Sequence, residues 1–405
     1  MNYAVTMLIA LIAAFIATPI VKKIAFTIGA VDIPKDSRRM HNDPIALLGG
    51  MVIIAGFLVA LFYNILAGAI PPDRTVAGIL TGILILLVCG FLDDRFTLSW
   101  KKKAAFQFAA AISYIIISDQ QIDFFTNPFV FDDVIELAPW IAWPLTIIWI
   151  VGITNAINFI DGLDGLAAGV SCISALSLFF VSLLSQNAME GPAAPLMMAA
   201  LAGAAMGFLP FNFNPAKIFM GETGAAFLGF TLAVVSVQGM LKSYAMISLA
   251  IPVMIIGLPI FDVAFAIIRR VLKHSSPASS DSSHLHHKLI SMGLSQRQSV
   301  VLLYITSGVL GLCGFIFANK NYISAVILLV LLPVFVFAYA KYLVGDKPAP
   351  KDGGADPGDT GGIRTADPEH TEESPADDNI HDIRSAMPIA ASADALADGR
   401  LKEEA

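Results

Sequence analysis

The chain has 405 residues, of which 56% are hydrophobic and only 14% charged. Soluble domains average about 25% charged residues, so an ordinary water-soluble fold is excluded. The net charge of −7 is local: residues 345–405 hold 15 acidic and 6 basic residues, whereas the first 344 hold 17 and 19.

The apolar residues form continuous runs of about twenty, long enough to cross a bilayer as helices. They do not alternate as barrel strands would. The fold class predicted is an all-α polytopic membrane helical bundle with about eleven transmembrane helices. The spans fall at 3–21, 46–68, 75–92, 104–118, 139–157, 165–185, 194–211, 224–241, 244–268, 298–317 and 322–343. In the first run the basic pair Lys22 and Lys23 follows the apolar stretch, so a retained helix is expected rather than a cleaved signal. Cys89, Cys172 and Cys313 all lie inside apolar runs and read as core residues, without disulfide or metal.

Orientation follows from Lys and Arg. With the N-terminus outside, the loops that fall inside carry fifteen of them up to residue 297, and the outer loops carry three, Arg74, Lys242 and Lys320. An N-out/C-in topology is therefore expected. Residues 1–344 form the transmembrane domain. Residues 345–405, rich in Gly, Pro, Ala, Asp and Glu, read as an acidic, disordered cytoplasmic tail.

The inner loops carry the chemistry. The first, "DIPKDSRRMHNDPIALLGG" (32–50), holds Arg38, Arg39 and His41 in a loop shaped by proline and glycine, or anchored at lipid headgroups. The second, "GFLDDRFTLSWKKK" (90–103), sets Asp93 and Asp94 side by side at a helix end. Adjacent carboxylates repel unless a cation or proton lies between them, which suits a Mg²⁺ or proton-abstraction site. Lys101 to Lys103 then either attract phosphate or enforce topology. In the third, "NAINFIDGLDGLAAG" (155–169), Asn155, Asn158, Asp161 and Asp164 recur every three residues, mostly along one helical face. Such an all-oxygen set suits a hard cation or a sugar nucleotide. The fourth, "IFMGETGAAFLGF" (218–230), places Glu222 between oily flanks, at a cost only a partner offsets. The fifth, "DSSHLHHKL" (281–289), holds His284, His286 and His287. Its spacing fits no common closed zinc site, and imidazoles near Arg269, Arg270 and Lys288 suit a diphosphate better.

These five ordered motifs resemble the polyprenyl-phosphate N-acetylhexosamine-1-phosphate transferases, of the glycosyltransferase family 4 type, over residues 1–343. The resemblance implies a Mg²⁺-dependent enzyme, with Mn²⁺ as a substitute, at the cytoplasmic face of the cell membrane. It joins a UDP-linked amino sugar 1-phosphate to a lipid phosphate and releases UMP. It implies catalytic roles for Asp93, the acid proposed as base towards the lipid phosphate, and for Asp94. A covalent phospho-aspartate is the chemical alternative. Glu222 and Asp161 are implied metal ligands. Implied substrate contacts are Asn155, Asn158, Leu163, Asp164, Phe219, His284, His286, His287, Lys101 and Lys103, with Arg38 and His41 from the first loop.

Two departures stand out. Glu222 replaces the family's usual Asp and Ala225 its Ser, while Leu47 stands where an arginine is common. The "HLHH" form is similar to the branch that uses UDP-N-acetylglucosamine and undecaprenyl phosphate to begin teichoic acid, O-antigen or related glycans. The alternative is the phospho-N-acetylmuramoyl-pentapeptide transferase branch of peptidoglycan synthesis. The expected partners are those two substrates and the lipid bilayer, with no nucleic acid, and lipid-facing packing would support a homodimer. A transporter would show mid-membrane ionisable residues and an internal repeat, and neither is seen. A non-catalytic scaffold would not be expected to retain Asp93, Asp94, Asp161, Asp164 and the three histidines.

Overall fold

The computed structural model describes residues 2–32, 44–126, 134–184, 193–240, 250–272 and 284–344, all within the compact unit Met1–Lys347. Helix takes 82% of these residues and strand 3%, so the fold is all-α. The helices are α1 (Tyr3–Ile28), α2 (Gly49–Leu66), α3 (Arg74–Phe96), α4 (Trp100–Ser118), α5 (Pro139–Ile160), α6 (Leu166–Leu184), α7 (Ala193–Asn212), α8 (Gly221–Met240), α9 (Ala250–Ile255), α10 (Gly257–Leu272), α11 (Leu285–Ser291), α12 (Gln296–Ala318) and α13 (Tyr322–Val344). Two antiparallel pairs accompany them: β1 (Val31–Asp32) with β2 (Ile45–Ala46), and β3 (Phe124–Thr126) with β4 (Val134–Glu136).

Among the described residues eight helices are long and apolar enough to cross a bilayer: α1, α2, α3, α5, α6, α7, α12 and α13. The expected eleven are not reached, for identifiable reasons. The first turn of α4 holds three lysines, and α8 opens on Glu222. The run at 244–268 is divided into α9 and α10, its first residues lying outside the described set. Pro259 has no N–H for the carbonyl of Ile255, four residues earlier, and its ring would crowd it. Ser174 Oγ, on α6, donates to that carbonyl instead, at 3.1 Å. The outer helices α1 and α13 are only 22% and 17% buried over their spans, as expected of surfaces facing lipid.

Helix α8 lies at the core, buried without a break from Thr223 to Val237 and packed against α2, α3 and α5. Small residues let these backbones close up. A Cβ on Gly50 of α2 would fall 2.2 Å from Gly224 N, and one on Gly90 of α3 would fall 2.4 Å from Thr223 Cα. The three cysteines are buried and unbridged.

The start of α8 is also sewn to the chain before α2. Ala46 pairs with Ile218 in a parallel bridge, and Phe219 N donates to Ala46 O at 2.8 Å. Gly49 N and Gly50 N donate to Phe219 O and Met220 O at 2.9 and 2.7 Å. Residues 218–222 are thereby held at one end of the bundle, next to the ends of α3, α4 and α5.

Candidate active site

At that end lies a cleft of about 480 Å³. Its walls come from four stretches: Asp32 and Leu47, then Asn158 and 161–164, then Asn212 with 219–222, then His287 and Gln296. Four of the five sequence motifs thus converge although they are far apart along the chain; Asp93 and Lys103 of the second are not among the walls and connect to the cleft through Glu222. Asp161 is the C-cap of α5, and the turn after it is held by Gly165 in the left-handed region (φ 81°), whose carbonyl accepts from Tyr304 Oη at 2.6 Å. A side chain at Gly169 would collide with the Tyr304 ring.

Glu222 stands in the first turn of α8, where the helix dipole favours an anion. Asn158 Nδ2 donates to its Oε2 at 2.8 Å, and Lys103 Nζ lies 3.4 Å from the same oxygen. Lys103 also pairs with Asp93 Oδ2 at 2.8 Å, and Asp93 Oδ1 accepts from Leu98 N. One ammonium therefore links carboxylates from α3 and α8. The Asp93, Glu222 and Lys103 side chains are 10%, 18% and 27% exposed, so the three charges meet in a partly desolvated place. Asp94 belongs to α3, but its side chain lies outside the described residues, as do Arg38 and His41 altogether.

Asp164 lines the cleft but is also structural: its Oδ2 accepts from Asn214 Nδ2 and Ala216 N, both at 3.0 Å. Asn214 Nδ2 in turn donates to Gln296 Oε1 at 2.7 Å. Asn155 stands away from the cleft walls and is paired with Gln107 of α4 (Nδ2 to Oε1, 2.7 Å). The Lys101 ammonium lies 5.7 Å from its neighbour Trp100's ring centroid, and Lys101 is not among the cleft walls.

Of the three histidines, His287 faces the cleft and the other two stand behind it. Their rings stack in sequence: His284 on His286 at 5.9 Å and 4°, and His286 against His287 at 4.3 Å. A Cβ on Gly162 would fall 2.5 Å from His286 Nε2, so only glycine fits there. Burial, with His287 beside it, pushes His286 down to about 4, so it is neutral at pH 7. Sequence reading missed Asp262, which binds His284, and did not single out Asn212, Asn214 or Gln296. Asp262 carried one available signal, a lone carboxylate in the apolar run "PIFDVAFAII".

A bundle of several apolar helices long enough to cross a bilayer, with a polar cleft where carboxylates, amides and an imidazole meet, defines a multi-pass membrane protein. Comparison with known proteins makes the class specific. The glycosyl transferase family 4 model matches residues 76–240. A probable undecaprenyl-phosphate N-acetylglucosaminyl 1-phosphate transferase of Bacillus subtilis (strain 168) is 39% identical over 346 residues, covering 84% of this chain and 91% of the relative. The decaprenyl-phosphate N-acetylglucosaminephosphotransferase of Mycobacterium tuberculosis (strain ATCC 25618 / H37Rv) is 33% identical, over 79% and 84%. The undecaprenyl-phosphate alpha-N-acetylglucosaminyl 1-phosphate transferase of Salmonella typhi is 29% identical, over 82% and 90%. The chain belongs to glycosyl transferase family 4.

Proposed function

We propose that the chain transfers N-acetylglucosamine 1-phosphate from UDP-N-acetylglucosamine to undecaprenyl phosphate, releasing UMP and beginning a cell-envelope glycan. The observation that carries this is the cleft itself: oxygen donors Asn158, Asp161 and Glu222, the aromatic Phe219 and the imidazole of His287 line one space. Relatives of matching length bear that activity in their names. The charge asymmetry of the loops supports an N-out chain in the cell membrane with the cleft on the cytoplasmic side, where the nucleotide sugar is found. Residues 1–344 would be the catalytic domain and 345–405 an appended tail.

Among the described residues no three His, Cys, Asp or Glu converge into a metal site made by protein alone. Mg²⁺ binds through one or two carboxylates and completes its shell with water and substrate phosphates. Asp161 and Glu222, hard oxygen donors on one cleft, are the residues that would hold it. When bound, the ion would neutralise the diphosphate and favour departure of UMP.

The chain's own groups do the rest by position and charge. Phe219 offers an aromatic surface to the uracil. Asn158 orients Glu222 through its 2.8 Å bond. Lys103 sets its positive charge between Asp93 and Glu222, where the negative charge of two phosphates would gather. Asp93, held by Lys103 and Leu98 N, would be the acceptor that meets the incoming lipid phosphate. That phosphate is already largely ionised near neutral pH, so Asp93 orients it and takes its remaining proton. The phosphate oxygen then bonds to the β-phosphorus as the bond to UMP breaks.

The test is an assay of purified protein with undecaprenyl phosphate and Mg²⁺, comparing radiolabelled UDP-N-acetylglucosamine with UDP-N-acetylmuramoyl-pentapeptide. Lipid-linked product from the first alone is expected. Product only from the second would overturn the sugar assignment, and product from neither would overturn the enzyme.

A further inference from the structure

Asp262 lies on α10 and is 9% exposed. A buried carboxylate is costly unless its oxygens are satisfied. Both are bound to the segment that opens α11: Oδ2 lies 2.9 Å from His284 Nδ1, and Oδ1 accepts from Leu285 N at 2.8 Å. His284 is the N-cap of α11 and Leu285 its first residue. One acid therefore fixes a ring and a helix start together.

The ring it holds is the first of a stack. Phe159 of α5 lies near-parallel to the His284 ring at 5.8 Å and 17°, and His286 lies parallel to it at 5.9 Å. His286 abuts Gly162 and the His287 ring, and His287 reaches the cleft. Asp262 is not among the cleft walls, so it can act only through these contacts.

We propose that Asp262 is a positioning residue that, by binding His284 Nδ1 and Leu285 N, sets the tautomer of His284 and holds His287 against the sugar-nucleotide donor. This rests on the function proposed above. With Nδ1–H given to the carboxylate, His284 keeps its Nε2 as the other ring position, and the stack has one orientation. The proposed function assigns the lipid phosphate to Asp93 and Lys103, neither of which touches Asp262 or the histidines in the bonds above, so its binding should not depend on Asp262.

Asp262→Asn tests this. The backbone N–H of Leu285 can only donate, so the amide oxygen stays on it and the NH₂ faces His284 Nδ1, which can accept only after moving its proton to Nε2. Loss of one charge-assisted bond is expected to raise KM for UDP-N-acetylglucosamine about tenfold. KM for undecaprenyl phosphate should stay within about twofold, and ¹⁵N spectra of histidine-labelled protein should show a changed His284 tautomer. Leu285→Pro is the second variant, should the first fail to fold. Proline is tolerated at a first helical position, and His284 (φ −62°, ψ 157°) already has the backbone a following proline requires. It deletes the N–H to Asp262, together with the Leu285 side chain that packs against the core, and should raise donor KM about threefold. A fall in Vmax with donor KM unchanged in both variants would mean a merely structural role and overturn the proposal. An unchanged His284 tautomer in Asp262→Asn would do the same. Wild-type protein without turnover on UDP-N-acetylglucosamine would instead sink the functional reading, and this inference with it.

Discussion

Gly90 sits on α3 one turn before Asp93 and faces Thr223, the residue after Glu222, across the α3–α8 contact. In Gly90→Ala the new Cβ would lie 2.4 Å from Thr223 Cα and 2.5 Å from its Oγ1, where ordinary contact begins near 3.4 Å. The backbones must therefore part by about 1 Å, because Cα cannot rotate away as a side chain can. The Lys103–Glu222 approach of 3.4 Å would then stretch beyond ion-pair reach, while Lys103–Asp93 survives. Overpacking of this kind costs about 1–3 kcal/mol, and a 1 Å displacement at a reacting centre costs about 10²-fold in rate. Turnover of labelled donor and thermal unfolding in detergent should show both losses. Thr223→Ala should not rescue the variant, since it removes Oγ1 but leaves the Cα in place. Wild-type turnover and melting temperature in Gly90→Ala would refute the claim that this backbone contact sets the spacing of the two acids.

Lys103→Met should abolish most turnover and cost about 1–2 kcal/mol, between the values for exposed and buried pairs because its charges are partly solvated. A double-mutant cycle with Glu222→Gln that shows no coupling in unfolding would remove the bridge from the account. In Asp164→Ala the one oxygen that accepts from both Asn214 Nδ2 and Ala216 N is lost, so a loss of about 1–3 kcal/mol is expected by denaturation. Unchanged stability there would leave Asp164 a ligand contact alone. His286 predicts a pH effect: its folded value of about 4 lies below the unfolded 6.5, so the unfolded state binds the proton more readily between them. Stability should be level above pH 7 and fall as pH drops from about 6.5 to 4, by on the order of 3 kcal/mol. His286→Gln should flatten that limb of the melting curve, and an equally steep fall in the variant would show the burial argument to be wrong.

Much of this protein was legible along the chain, because bilayer thickness fixes helix length and a charge near lipid is too costly to stand without purpose. The apolar runs gave the helical class, and the lone Glu222 and the clustered acids marked the loops that build the cleft. The break between α9 and α10 is different in kind. Pro259 announces it, but a hydrophobic run reads the same broken or whole, and only Ser174 from another helix shows where the freed carbonyl is satisfied. Sequence spacing also put Asn155 in line with Asn158 and Asp161, yet a helical face cannot say which residues meet a neighbouring helix; Asn155 turns to Gln107. Nor could three histidines declare their order, with one on the cleft and two behind it. That depends on Asp262, more than twenty residues earlier, and on the bare Cα of Gly162. Composition and period determined what this chain must bury and where it must be polar. Which polar atoms face one another was decided by the tertiary structure, because hydrogen bonds and ion pairs act over about 3 Å between helices whose approach is set by glycine.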